Sequence, residues 1–342
     1  MPERIESSAQ AGRATYAVVG AGAIGSYVGA ALARAGAAVT LVGRGAHLQA
    51  MREHGVLVHS PRGDFSARPA ATADLRGAAP VDVVILALKA HQLGAVLADL
   101  PRLFHERTSV VAMQNGIPWW YFQRHGGPHD GLVLESVDPG GKIAAAIEPE
   151  RVIGCVIYAS TEIEAPGVVR HTEGTRFSLG ELDRSHSERA QRISADLVAG
   201  GLRAPVEDDI RRDIWLKLLG NASFNPISAL TRATLVDMTN DAGVEPLVRE
   251  MMEETMAVAH ALGITFDITI EKRIDGARRV GAHKTSMLQD LEARKPLELD
   301  ALTGVIVELG EKLGEKLGVA TPATRHVYAL AKLLERSTLT AR

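Results

Sequence analysis

Lys217, Asn221 and Asn225 recur at intervals of four residues, a spacing that places an amine and two amides along one side of a helix. An ammonium so placed can stabilise and protonate a developing alkoxide. Trp215, Leu218, Leu219 and Ala222 form an apolar stripe on the other side of the same segment. The spacing also describes a solvated polar face, the ordinary fate of such residues on an amphipathic helix, and taken alone it favours that reading. Pro226 disfavours helix at Asn225, so the helix is expected to end or kink there. A second candidate is Ser286-Met287-Leu288-Gln289-Asp290, followed by Glu298. A carboxylate in a first helical turn can equally serve the helix dipole.

A third group of residues points to a cofactor. Gly20-Ala21-Gly22-Ala23-Ile24-Gly25 follows the apolar run Tyr16 to Val19 and opens a small-residue helical segment reaching Gly36. A G-x-G-x-x-G string between strand and helix is a dinucleotide fingerprint. The first glycine permits the tight turn, the second lets backbone approach a pyrophosphate, and the third lets the helix pack on the strand. The free N–H groups at the start of the helix, among them those of Ala23 and Ile24, then face phosphate. After the next expected strand, Ala38 to Val42, an NAD-binding unit would carry an acid; this chain has Arg44, 19 residues after Gly25. A guanidinium suits the 2′-phosphate of NADP. The alternative for Arg44 is a solvated surface residue.

At 342 residues two domains are expected. The 38 basic and 41 acidic residues nearly cancel, which speaks against nucleic-acid and membrane-surface partners. The single cysteine, Cys155, rules out an intramolecular disulfide and fits a reducing, cytoplasmic compartment; within its apolar run it reads as a buried hydrophobe. Residues 1–13 read as a disordered extension. No C-x-x-C or H-x-x-x-H pairing is present, so no metal site is expected.

These residues need a rim to stand on. Val81–Leu88 and Thr108–Met113 read as strands buried on both faces, as in a parallel sheet. They lead into Lys89 and Asn115, at the carboxyl ends where open α/β sheets bind ligands. Short strands are expected over 152–159, 167–171 and 176–179, extending the sheet antiparallel. Helices are expected over 208–221, 241–262, 267–282, 298–317 and 322–336, with Gly263 and Gly318 as stops. The expected architecture is therefore α/β: a Rossmann-type dinucleotide-binding domain with a mainly parallel sheet over 14–205, and an all-helical substrate domain over 206–342.

The separated motifs together resemble the ketopantoate reductase family, from Tyr16 to about residue 335. The matching pieces are the glycine loop, Leu88-Lys89-Ala90, Gln114-Asn115-Gly116, Trp215-x-Lys217 with Asn221, Asn225 and Pro226, and Ser286 to Asp290 with Glu298. The resemblance reverses the bland reading of Lys217 and Glu298. It implies that Lys217 is the general acid and that Glu298 bonds the substrate hydroxyl. It makes Asn221 and Asn225 orienting amides and Ser286 a carboxylate-binding hydroxyl. Lys89, Asn115 and the glycine loop become cofactor contacts, and Arg44 the 2′-phosphate reader. The implied reaction is NADPH-dependent reduction of 2-dehydropantoate, as in pantothenate biosynthesis, by a protein that family members suggest is a homodimer. The alternatives are reduction of another 2-oxo or 3-oxo acid, and an NADP(H)-binding redox sensor without turnover. If Lys217 is enclosed near other cations, its pKa should be lowered by desolvation and like charge. Gln114 stands where the family often has His, and Trp119-Trp120-Tyr121-Phe122 follows the Gln-Asn-Gly segment. These aromatics read first as interdomain packing, with an apolar wall over the substrate as the alternative.

Overall fold

The computed structural model describes residues 13–317 and 319–340. The expected extension at 1–13 lies outside the described residues except for its last position, and so does the expected stop at Gly318. One nine-stranded sheet runs in the order β4-β3-β9-β8-β7-β6-β1-β2-β5. Its strands are β1 (Thr15–Val19), β2 (Ala38–Val42), β3 (Val56–His59), β4 (Phe65–Ala67), β5 (Ala70–Thr72), β6 (Val83–Leu86), β7 (Ser109–Ala112), β8 (Val152–Ala165) and β9 (Val168–Glu181). All neighbours pair in parallel except β3 with β4 and β8 with β9. Every residue of β6 and β7 is buried, as uninterrupted apolar strands covered on both faces require.

The three short strands expected after residue 151 are instead one long hairpin, β8 and β9, of 14 residues each. Polar residues at its far end hide the continuity in the sequence. The pairing of β9 is antiparallel to β8 as expected, yet parallel to β3 on its other edge. The segments β3, β4 and β5, of four, three and three residues, are too short for a pattern to have announced them.

Helices α1 (Ala23–Arg34) and α4 (Glu188–Ala199) pack on one face of the sheet. The remaining helices are α2 (Gly45–His54), α3 (Lys142–Ala146), α5 (Ile210–Thr231), α6 (Leu235–Asn240), α7 (Val244–Ala261), α8 (Ile270–Val280), α9 (Ser286–Glu292), α10 (Val305–Leu317) and α11 (Pro322–Thr340). Helix α5 is the axis of the helical region, touching α7, α9 and α11. It does not end at Asn225 as Pro226 led us to expect, but continues to Thr231. Proline cannot donate to the carbonyl four residues back; that carbonyl, of Ala222, instead accepts from the Thr303 hydroxyl at 3.4 Å. The helix expected over 298–317 opens with a π-helical turn, Asp300–Gly304, before α10.

The aromatic segment packs rather than walls the cleft. Trp119, Trp120, Tyr121 and Phe122 are all buried, and the Trp215 indole donates to the Tyr121 hydroxyl at 2.7 Å. Arg211, only 1% exposed, locks this segment to α5. Its guanidinium donates to the carbonyls of Tyr121, Gln123 and Leu182 at 2.8, 2.9 and 2.6 Å.

Candidate active site at the carboxyl edge of the sheet

The glycine loop crosses the end of β2, where the Gly20 and Ala21 N–H groups both donate to Val42 O at 3.1 and 2.8 Å. Gly20 has φ +106°, and a Cβ there would lie 2.8 Å from the Ala87 backbone. A Cβ on Gly25 would fall 2.1 Å from Gly20 O, so α1 can sit this close only with glycine. A Cβ on Gly22 would meet nothing within 4 Å. Gly22 caps α1 without a side-chain acceptor, which leaves the N–H groups at Ala23 and Ile24 directed at open space. This cradle fits the pyrophosphate of a dinucleotide. Arg44, beyond β2, is exposed and forms no ion pair or side-chain hydrogen bond, so its guanidinium is available to a phosphate.

Gln114 ties the two central strand ends together, its amide donating to Leu86 O at 2.8 Å and Leu88 O at 3.3 Å. This fixes the next residue, Asn115, at the rim. Lys217 reaches it from α5: its ammonium donates to Asn115 Oδ1 at 2.7 Å and to Ile157 O, on β8, at 2.5 Å. Asn115 Nδ2 in turn faces Glu298 Oε2 at 3.4 Å. Burial pulls the Lys217 ammonium down to about 8, and the nearby Glu298, Cys155 and Asp213 oppose the shift. The like-charge contribution expected from neighbouring cations does not enter; the charges acting on Lys217 are acidic. Burial pushes the Glu298 carboxyl up, with Lys89, Asn115 and Lys217 pulling the other way. Cys155 is buried and its thiol is pushed up to about 12, so it is inert as expected.

Lys217, Asn221, Asn115 and Gln114 line one small cavity with Gly116, Val156, Ile214 and Leu218. Asn225, Ser286 and Glu298 are not among its walls. Asn225 is buried further along α5, and Ser286 is the exposed first residue of α9. Lys89 forms an ion pair with Asp290 and a 3.4 Å contact to Pro296 O. Sequence reasoning missed the Ile157 carbonyl, which as backbone carries no residue signal, and the role of Gln114. It also missed a second tie across the rim. Gly116, at φ +81°, lies so close to the π turn that a Cβ would be 2.0 Å from Ala301 O, which accepts from Ile117 N at 3.0 Å. Among the described residues no cluster could hold a metal ion, and no helix is long and apolar enough to cross a membrane.

Residues 16–119 match the family Ketopantoate reductase PanE/ApbA, and residues 209–335 match Ketopantoate reductase PanE/ApbA C terminal. The 2-dehydropantoate 2-reductase of Mesorhizobium japonicum is 49% identical over 320 residues, covering 93% of this chain and 96% of that protein. The PanE/ApbA family ketopantoate reductase from Ralstonia eutropha JMP134 superposes with a TM-score of 0.80 at 27% identity, covering 95% of this chain and 99% of that one. D-mandelate dehydrogenase, solved with NADH and anilino(oxo)acetate, superposes at 0.79 with 25% identity over 95% of this chain and 99% of its own.

Proposed function

The chain belongs to the ketopantoate reductase family, and on that premise we propose that it reduces 2-dehydropantoate to pantoate with NADPH, using Lys217 as the proton donor. When bound, the nicotinamide supplies the hydride that adds to the substrate's carbonyl carbon. The C=O double bond becomes a C–O single bond, and the oxygen takes a proton from Lys217 Nζ. The observation that carries this reading is the Lys217 ammonium itself, desolvated and anchored by Asn115 and Ile157 O at the carboxyl edge of the sheet. Its pKa near 8 lets it hold a proton at neutral pH and release it to an alkoxide.

The remaining roles follow the same reading. Residues 14–205 hold the cofactor, with Gly20, Gly22, Ala23, Ile24 and Gly25 around the pyrophosphate and Arg44 at the 2′-phosphate. Residues 206–342 supply the chemistry and substrate contacts, with Asn221, Asn225 and Ser286 orienting the acid. Glu298 receives the substrate's hydroxyl. Lys89 and Asn115 complete the cofactor side, which for Lys89 requires release from Asp290. The reading makes the protein a cytoplasmic enzyme that works on a small 2-oxo acid, and a homodimer is the assembly it favours.

A second reading is supported by the likeness to D-mandelate dehydrogenase: the same machinery serving a different 2-oxo acid. Following nicotinamide absorbance with NADPH and a panel of 2-oxo acids separates the two. Turnover confined to ketopantoate supports the first, preference for another acid the second, and tight NADPH binding without turnover rejects both.

A further inference from the structure

Arg273, on α8, is a half-buried cation without a partner. Its side chain forms no hydrogen bond and no ion pair, and its Nε is sealed from solvent with no acceptor. The ionisable group acting favourably on it is the Tyr158 phenol, which burial keeps neutral. Withdrawing a guanidinium from water without compensation is costly. The other cations nearby are compensated. Arg176 pairs with Glu207 and Asp213, Lys89 pairs with Asp290, and Lys217 donates to two oxygens.

The place is specific too. The guanidinium lies against Gly220 of α5, where a Cβ would be 2.2 Å from Nη2 and 2.9 Å from Cζ. Gly220 adjoins Asn221 and is three residues past Lys217. Tyr158 directly follows Ile157, whose carbonyl holds Lys217, and the Lys217 ammonium sits 5.8 Å from the centre of the Tyr158 ring. Arg273 therefore borders both elements that anchor the proton donor. The small cavity that holds Lys217 and Asn221 lies next along α5; a 2-oxo acid entering it brings at least one carboxylate, and that anion needs a counter-ion once water is excluded.

We propose that Arg273 is the counter-ion for a carboxylate of the substrate, received between α5, α8 and Tyr158. This rests on the reading of the chain as a reductase of a 2-oxo acid. A planar guanidinium fits a carboxylate with two parallel N–H···O bonds, and the missing side chain at Gly220 leaves it room to lie along α5. Arg273 then sets affinity for the acid, while Lys217 sets the rate.

The test compares ketopantoate with its methyl ester, whose carboxylate is masked, on wild type, Arg273→Met and Gly220→Ala. A lost charge-assisted contact is expected to raise KM for the acid about 10- to 100-fold in Arg273→Met. Turnover at saturation should change by only a few-fold, and the ester should respond little. Gly220→Ala, which favours helix but displaces the guanidinium, should raise KM for the acid by a smaller factor at an unchanged melting temperature. Equal effects on acid and ester, or an unchanged KM for the acid in both variants, overturn the assignment. Calorimetric titration with oxalate separates this from failure of the functional reading. Wild type inactive on ketopantoate but binding oxalate through Arg273 sinks that reading alone; wild type active with Arg273→Met kinetically normal sinks this one alone.

Discussion

Lys217 and Glu298 are joined through a single amide. The Lys217 ammonium donates to the oxygen of Asn115, whose nitrogen points at the Glu298 carboxylate 3.4 Å away. The two groups come from α5 and from the segment before the π turn, while Asn115 comes from the sheet. Burial pushes their pKa values towards each other, the lysine down and the acid up. That is the electrostatic signature of a working site, and it yields a first prediction. With Lys217 as the proposed proton donor, the rate of reduction should be level below about pH 8 and fall about tenfold per unit above it. Oxidation of pantoate should rise through the same pH. Lys217→Ala should lower turnover by about 10²- to 10⁴-fold while NADPH still raises the melting temperature. Lys217→Arg should not restore it, because a guanidinium stays protonated and has another shape. Near-normal turnover in the alanine variant would reduce Lys217 to a structural tie between α5, Asn115 and β8.

Glu298→Ala should lower kcat/KM on ketopantoate more than on an analogue lacking the hydroxyl, with NADPH affinity little changed. In the proposed reading the carboxylate accepts from the substrate hydroxyl, so only a substrate that has one loses the contact. Equal losses on both substrates would mean that Glu298 serves the helix start instead.

Arg44→Ala should weaken NADPH selection by about 10- to 100-fold, the equivalent of about 1.5–3 kcal/mol for one charge-assisted contact. NADH kinetics should hardly move. Arg44 is exposed and unpaired, so the variant should melt at the wild-type temperature. A parallel change in both Michaelis constants would remove Arg44 from the phosphate site.

Arg211→Met should destabilise the fold by about 2–5 kcal/mol, since three buried carbonyls lose their donor at once. Chemical denaturation should show a lower midpoint at an unchanged slope. Activity per folded molecule should survive better than stability, because Arg211 braces α5 from the side carrying Trp215. A midpoint like that of wild type would show that water replaces the guanidinium.

The parts of this molecule legible in its sequence are those governed by local rules. The glycine loop, the all-apolar β6 and β7 and the i, i+4, i+8 spacing on α5 each follow from the chemistry of a few adjacent residues. Non-local compensation was not legible. Pro226 signals a helix end, yet the helix runs on because Thr303, far away in the chain, satisfies the carbonyl that proline abandons. The ion pair that Lys89 makes with Asp290, far along the chain, was not legible either. The aromatic run beside the Asn-Gly turn read first as packing, with an apolar wall as the alternative, and the burial of all four side chains decides for the core. The match of several motifs in order singles out Lys217 and Glu298 for the roles proposed here, where spacing alone favoured the blander reading.

The π turn at Asp300–Gly304 makes this stretch of chain intolerant of changes in length. Its wide winding releases the Ala301 carbonyl to accept from Ile117, holding the turn against the Asn115 loop. Deleting one residue would tighten it to an ordinary α turn and rotate what precedes it by about 100°. Glu298, two residues upstream, would swing out of reach of Asn115. Between Glu298 and Gly304, the number of residues is therefore constrained independently of their identity.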